Sequence, residues 1–317
     1  MKFGFYLPTF GAAAEPEALA RLVAAGEAAG FHSAVISDHI VVPTEIASKY
    51  PYTPDGVFRS GAESLEQLAM MAYVAAVSSS LRLVTSIMVL PHRNPVQTAK
   101  MLATIDVLSK GRVTVGVGVG WMREEFLALG RSEHEYRERG RLSDEYIELF
   151  KMLWTRDPAE FQGEFYSFEA LHCRPFPVQK PHPPIWIGGH TRRALKRVVR
   201  HGDGWHPVGA NDAVPLPPAE LGAKVSELKQ YCEAEGRDFD EIVLTFKARL
   251  YDERLPAYRH GERLAFSGSD EQVIEDVHAY RALGLDELIF DVRSPSLGQC
   301  LERLDHLNRD IIARIDD

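Results

Sequence analysis

The chain has 317 residues, 45% of them hydrophobic and 26% charged, the mixture of an ordinary globular protein. Its 36 Lys and Arg against 45 Asp and Glu give a formal net charge of -9, which argues against nonspecific nucleic-acid binding, since that needs a basic field. No apolar run approaches the roughly 20 residues that span a bilayer, and the apolar start is too short for a signal peptide, so a cytoplasmic location with no membrane partner is expected. In chain order, residues 3–7 read as a first strand and 17–29 as a helix with Leu19, Leu22, Val23 and Ala28 near one stripe, stopped by Gly30. Strands follow at 34–37 and 81–88, then a helix at 95–108 with Pro95 near its start and Gly111 beyond its end. A strand at 113–117, a helix at 141–154 and strands at 185–188, 204–206 and 243–248 come next. A helix at 270–283 opening on Ser269 as N-cap, and a strand at 287–291, close the series. The unbroken apolar run through 83–89 suits a strand buried on both faces, as in parallel sheets. Eight βα units predict an α/β fold, a closed (β/α)8 TIM barrel, as a single domain over 1–317.

Three segments exceed ordinary connections: 39–61, 155–184 and 207–221. The first and third follow strands, so they are expected to wall a pocket at the carboxyl ends of the barrel strands. The second contains Phe161 to Phe168 about a Gly turn and predicts a hairpin on the amino-terminal side of strand five. An apolar patch of Leu65, Leu68, Met70, Met71 and Tyr73 reads as helix packed on barrel, with a dimer interface as the alternative.

The chemistry gathers at strand ends. Ser37-Asp38-His39 closes strand two, placing a titratable imidazole where a ligand would meet it, with the neighbouring carboxylate available to fix its tautomer. Gly116-Val117-Gly118-Val119-Gly120-Trp121 ends strand four. Glycines weaken a strand interior, so their alternation suggests close backbone approach to a flat ligand against the Trp121 wall, or else a tight barrel corner. Gly188-Gly189-His190-Thr191 ends strand five and opens a helix carrying Arg192, Arg193, Lys196 and Arg197. Free N–H groups at that turn favour phosphate, although a solvated basic face serves equally for Lys196 and Arg197. His92, Arg93 and the strand-six His206 raise a metal-hydrolase alternative, but no ligand set has metal spacing and no metal is expected. The three scattered cysteines (Cys173, Cys232, Cys300) form neither a disulfide framework nor a zinc pattern.

Taken in this order, the motifs resemble the bacterial luciferase-like flavin and deazaflavin oxidoreductase superfamily over nearly the whole chain. The residues that carry the resemblance run from Lys2–Pro8 and Ser37-Asp38-His39 to Asn94-Pro95 with Lys100. They continue through Gly116–Trp121 with Glu124-Glu125-Phe126, Asp144-Glu145-Tyr146, Pro184–Gly189 and Asp203-Gly204-Trp205. The coenzyme F420-dependent branch is the most similar, through Asp38-His39, Val42-Pro43 and Tyr50-Pro51-Tyr52. The resemblance implies His39 near the reaction centre, with Asp38 as an adjacent cofactor contact. It implies a strand-three bulge at Thr85-Ser86-Ile87 behind the ring, with a non-proline cis peptide expected at Ser86–Ile87. It further implies ring or ribityl contacts at Val119, Gly120 and Glu124, and a phosphate site at Gly188, Gly189, His190, Thr191 and Arg192. The sugar-phosphate dehydrogenases of the superfamily carry a catalytic glutamate where Trp121 stands here. An aromatic wall of Trp121 with Tyr50, Tyr52 and Phe58, and His206 at the pocket, therefore points to a more apolar small-molecule substrate.

Three functions follow. The first is hydride transfer between coenzyme F420 and that substrate, with His39 managing the proton. The second is an FMN-dependent two-component monooxygenase, which requires a flavin reductase as partner. The third is a flavin- or deazaflavin-binding protein without turnover. The resemblance also suggests a homodimer.

Overall fold

The computed structural model describes residues 1–59, 63–249 and 258–315 of the chain. Residues 60–61 of the predicted first loop, and residues 62, 250–257 and 316–317 of the predicted domain, lie outside them. The eight predicted strands are present: β1 (Lys2–Tyr6), β2 (Ser33–Ile36), β3 (Arg82–Thr85), β4 (Val113–Gly118), β5 (Ile185–Gly188), β6 (Gly204–His206), β7 (Val243–Arg249) and β8 (Glu287–Asp291). All pair in parallel in the order β3-β2-β1-β8-β7-β6-β5-β4, and Leu83↔Val113 with Val84↔Thr114 joins β4 back to β3. That last pairing closes the barrel and leaves no strand edge among these eight.

The predicted 81–88 strand is not continuous. It breaks at the non-proline cis peptide Ser86–Ile87 and resumes as Met88–Val89, which pairs with Val117 and Gly118 of β4. Along each strand the side chains alternate between two cores. Tyr6, Val35, Val84, Trp186 and Ile289 fill the barrel interior. Phe5, Ala34, Leu83, Val115, Ile187, Phe246 and Leu288 face the helices. Each of the larger aliphatic and phenyl side chains among them contributes roughly 1.5–3 kcal/mol of burial free energy.

The outer ring consists of α1 (Pro16–Ala28), α2 (Gln67–Val77), α3 (Pro95–Leu108), α4 (Arg139–Thr155), α5 (Arg192–His201), α6 (Pro218–Glu235), α7 (Asp270–Arg281) and α8 (Leu297–His306). Their ends follow the sequence. Pro opens α1, α3 and α6, and Ser269 with Gln272 forms a capping box on α7. Leu68, Met70 and Met71 of α2 are buried and Tyr73 donates to the Pro16 carbonyl, as the packed reading expects, whereas Leu65 ahead of the helix is exposed.

One expectation is corrected. The hairpin exists, as Ala159–Gln162 against Ser167–Leu171, but its turn does not stay on the amino-terminal side. The Glu145 carboxylate near the start of α4 accepts from Glu164, Phe165 and Tyr166 N–H, and Asn94 at the α3 N-cap donates to Tyr166. Both helix starts lie at the carboxyl ends of the strands, so the hairpin climbs to the same rim as the site.

Candidate active site

A cavity of about 280 Å³ opens at the carboxyl ends of the strands. It brings together the predicted Asp38, His39, Tyr50, Tyr52, Ser86, Ile87, Val119, Gly120, Trp121, Gly188, Gly189 and His206. Thr85, Phe58, Glu124, His190, Thr191 and Arg192 are not in its lining. Thr85 is buried behind it, its hydroxyl donating to the Gly116 carbonyl at 2.7 Å. Phe58 backs the wall, with ring centroids 4.8 Å from His39, 5.2 Å from Tyr50 and 5.3 Å from Trp121.

The alternating glycines have a protein partner as well as a cavity face. A Cβ at Gly116 would overlap the Thr85 carbonyl, and one at Gly118 would overlap Ile87 Cδ1. At Gly188 it would come within 3.0 Å of Ile87 Cγ2. The close approach they permit is therefore first to the strand-three bulge, which fills their missing volume and pushes Ile87 into the cavity lining. Gly120 differs. Its φ of 77° is in the left-handed region, and a Cβ there would sit 2.7 Å from Phe126 and Val89.

At the end of β2 the roles of the acids change. Asp38 does not hold the imidazole, because both of its oxygens are taken by Arg93 at 2.6 and 2.7 Å and one also accepts the Val89 N–H at 2.8 Å. Glu125, fully buried, accepts from His39 Nδ1 at 2.9 Å through Oε2, and from the Ile40 and Val41 N–H groups through Oε1. A carboxylate only accepts here, so the His39 proton lies on Nδ1, and Nε2 has no partner among the described residues. Its neighbour Glu124 points elsewhere and ties the Ala47 and Ser48 N–H groups of the 39–61 loop, each at 3.1 Å. His92 packs edge-on against Phe126, and burial pushes its imidazole down to about 4.

On the floor, hydrogen-bond directions are fixed end to end. Lys247 Nζ donates to Tyr6 Oη at 2.6 Å, and Tyr6 donates to the Ser86 carbonyl at 2.7 Å. Thr245 donates to the Trp205 carbonyl, so it accepts from His206 Nδ1 at 2.7 Å, and His206 Nε2 accepts from the Ser86 hydroxyl at 2.9 Å. His206 is neutral in this arrangement, and complete burial with Lys247 nearby pushes its pKa down to about 3. Burial and the nearby Tyr6 push Tyr52 up to about 12 and raise Tyr50 as well.

Beyond the cavity, Gly189 turns with φ 88° into α5, and Thr191 caps the helix by accepting from Ala194 N–H. The Arg192 and Arg193 N–H groups in that first turn have no intrahelical partner by geometry. Arg197 is committed to Asp144 and Arg200 to Glu235, whereas Arg192 and Lys196 lie over the Tyr231 ring. His190 Nδ1 is buried with no hydrogen-bond partner, a donor or acceptor without its complement beside the turn. These features fit an anionic group of a cofactor at this place. No cluster of His, Cys, Asp and Glu able to hold a metal occurs among the described residues.

The sequence reading missed Tyr6, Lys247 and Glu125. Lys247 had a signal, a cation between Phe246 and Ala248 inside a strand, at the same parity as Thr245. Glu125 had none, since an adjacent pair of glutamates does not show which one turns inward.

The family profile described as luciferase-like monooxygenase matches residues 1–252. An uncharacterized protein of Mycobacterium tuberculosis is 35% identical over 237 residues, 74% of this chain and 74% of its own length. An FMNH(2)-dependent dimethylsulfone monooxygenase of Pseudomonas fluorescens is 34% identical over 267 residues, 70% of this chain and 71% of its own. Among solved structures, an F420-dependent secondary alcohol dehydrogenase in complex with an F420-acetone adduct superposes with a TM-score of 0.76 at 17% identity. The superposition covers 100% of this chain and 99% of that one. At that identity the likeness is one of fold.

Proposed function

Because the chain belongs to the luciferase-like monooxygenase family, we propose that it is an oxidoreductase transferring a hydride between coenzyme F420 and a small organic substrate. The observation that carries this reading is the Glu125–His39 pair at the cavity wall, whose Nδ1 hydrogen bond fixes the tautomer and leaves Nε2 without a partner among the described residues. When bound, the deazaflavin supplies the ring carbon that gives or takes the hydride.

The chain's own residues do the rest. The Ser86–Ile87 bulge and the Val119–Gly120 backbone would hold the ring, and the Gly189 turn with Arg192, Arg193 and Lys196 its anionic tail. His39 Nε2 takes the substrate proton in oxidation and returns it in reduction. Glu125 stabilises the imidazolium formed meanwhile. Tyr50 and Trp121, backed by Phe58, form the apolar wall that excludes water and packs the substrate body.

Visible absorbance of F420 under nitrogen, recorded with a panel of secondary alcohols and enones, tests the reading. Substrate-dependent loss or gain of the oxidised deazaflavin band is expected. A second reading, an FMN-dependent monooxygenase supplied by a flavin reductase, is supported by the 34% identity to the dimethylsulfone enzyme. Oxygen-dependent turnover with reduced FMN and none with F420 would put that reading in its place.

A further inference from the structure

The floor of the cavity contains a charge that the hydride-transfer reading does not use. Lys247, half-buried on β7, lines the cavity, and its ammonium donates to one neutral partner, Tyr6 Oη, while lying 4.2 Å over the same ring. No carboxylate among the described residues pairs with it. The carboxylate it does sense, Asp291, is committed on both oxygens to Arg293 at 2.8 and 2.7 Å. The carboxylates at the other side of the cavity are also engaged, Asp38 with Arg93 and Glu125 with His39 and two backbone N–H groups.

An ammonium has three donors, and the described residues satisfy one of Lys247's. Holding a partly desolvated cation without a counter-charge costs free energy, and a methionine of similar length would fill the same space without that cost. Tyr6 adds direction. Its hydroxyl proton is spent on the Ser86 carbonyl, so its oxygen accepts from Lys247 and holds the ammonium in place while leaving its other donors free. Tyr50, whose ring lies 5.0 Å from Trp121 and 5.5 Å from Tyr52, supplies an apolar wall in the same cavity.

We infer that Lys247 is a specificity-determining residue that binds an oxyanion, a carboxylate above all, on a substrate whose apolar body lies against Tyr50 and Trp121. The substrate class is thus a small amphipathic acid. This rests on the reading of the cavity as the substrate site.

Calorimetric titration of the purified protein with hexanoate and, separately, with hexanamide tests it, since the two probes differ in charge and hardly in shape. Hexanoate is expected to bind about 10–100-fold more tightly, the worth of one charge-assisted hydrogen bond. Lys247→Met should abolish that preference and Lys247→Arg should keep most of it, with F420 affinity unchanged in both. Equal binding of the two probes by the wild type, or a preference that survives Lys247→Met, would overturn the subsite. So would loss of F420 binding in Lys247→Met, which would assign the lysine to the cofactor. A wild type that binds F420 but shows no preference removes the subsite alone. One that prefers hexanoate through Lys247 yet binds neither F420 nor FMN keeps the subsite and removes the redox reading.

Discussion

Ile87 occupies the volume that a side chain on Gly118 would need, since a Cβ there would overlap Ile87 Cδ1. The bulge on β3 and the glycine alternation on β4 are therefore one device seen from two strands. Gly118→Ala should force Ile87 out of its place and destabilise the protein by about 1–3 kcal/mol, the usual cost of overpacking. Urea denaturation gives the loss, and the double variant Gly118→Ala with Ile87→Ala should recover part of it.

Asp38 and Arg93 form a buried pair, with the Asp38 side chain fully covered and that of Arg93 nearly so. Arg93→Met leaves the carboxylate uncompensated and should cost about 3–5 kcal/mol, larger than the effect of most single substitutions. Thermal unfolding of that variant measures it. A change below about 1 kcal/mol would mean that the pair is not formed in solution.

His206 gives stability a defined pH dependence. Its imidazole is pushed down to about 3 in the folded protein, against an ordinary 6.5. The unfolded chain therefore binds the proton first, so this contribution is complete above about 6.5 and is lost as pH falls from there towards 3, by about 1.4 kcal/mol per pH unit. The difference in unfolding free energy between wild type and His206→Gln should shrink over that window. A constant difference would show that His206 is not held neutral.

Much of this was legible in advance, and the reasons are local. Eight β-branched runs with capped helices between them favour the barrel over a doubly wound sheet, because strands buried on both faces read as continuous apolar runs and eight βα units suffice to close one. The position of the break in β3 was legible from motif order, whereas apolar composition alone predicts one continuous strand from 81 to 88. Partner choice at the site was less accessible. Asp38 adjoins His39 in sequence, yet the carboxylate that reaches the imidazole comes from Glu125, 86 residues away. Its neighbour Glu124 turns to the loop at Ala47 and Ser48 instead. Both lie in the short helix Arg123–Ala128, whose successive positions are about 100° apart, so which of the two faces inward is decided by packing that no spacing records.

The two glutamates should separate cleanly in kinetics. Glu125→Gln is expected to lower turnover and shift its pH profile, since the imidazole loses its counter-charge, while His39→Ala should lower turnover by about 10²–10⁴-fold. Glu124→Gln releases the 47–48 segment and should raise KM more than it lowers kcat. Equal effects of Glu124→Gln and Glu125→Gln on kcat would contradict the assignment of His39 to Glu125.

Fluorescence titration of the purified protein with coenzyme F420 and, separately, with FMN tests the central claim most directly. Selective binding of F420 in the micromolar range or below is the predicted result, with Arg193→Ala weakening it through the anionic tail. Selective binding of FMN would contradict the hydride-transfer reading and favour an oxygen-dependent monooxygenase. Binding of neither would contradict the cofactor site at the Gly189 turn itself.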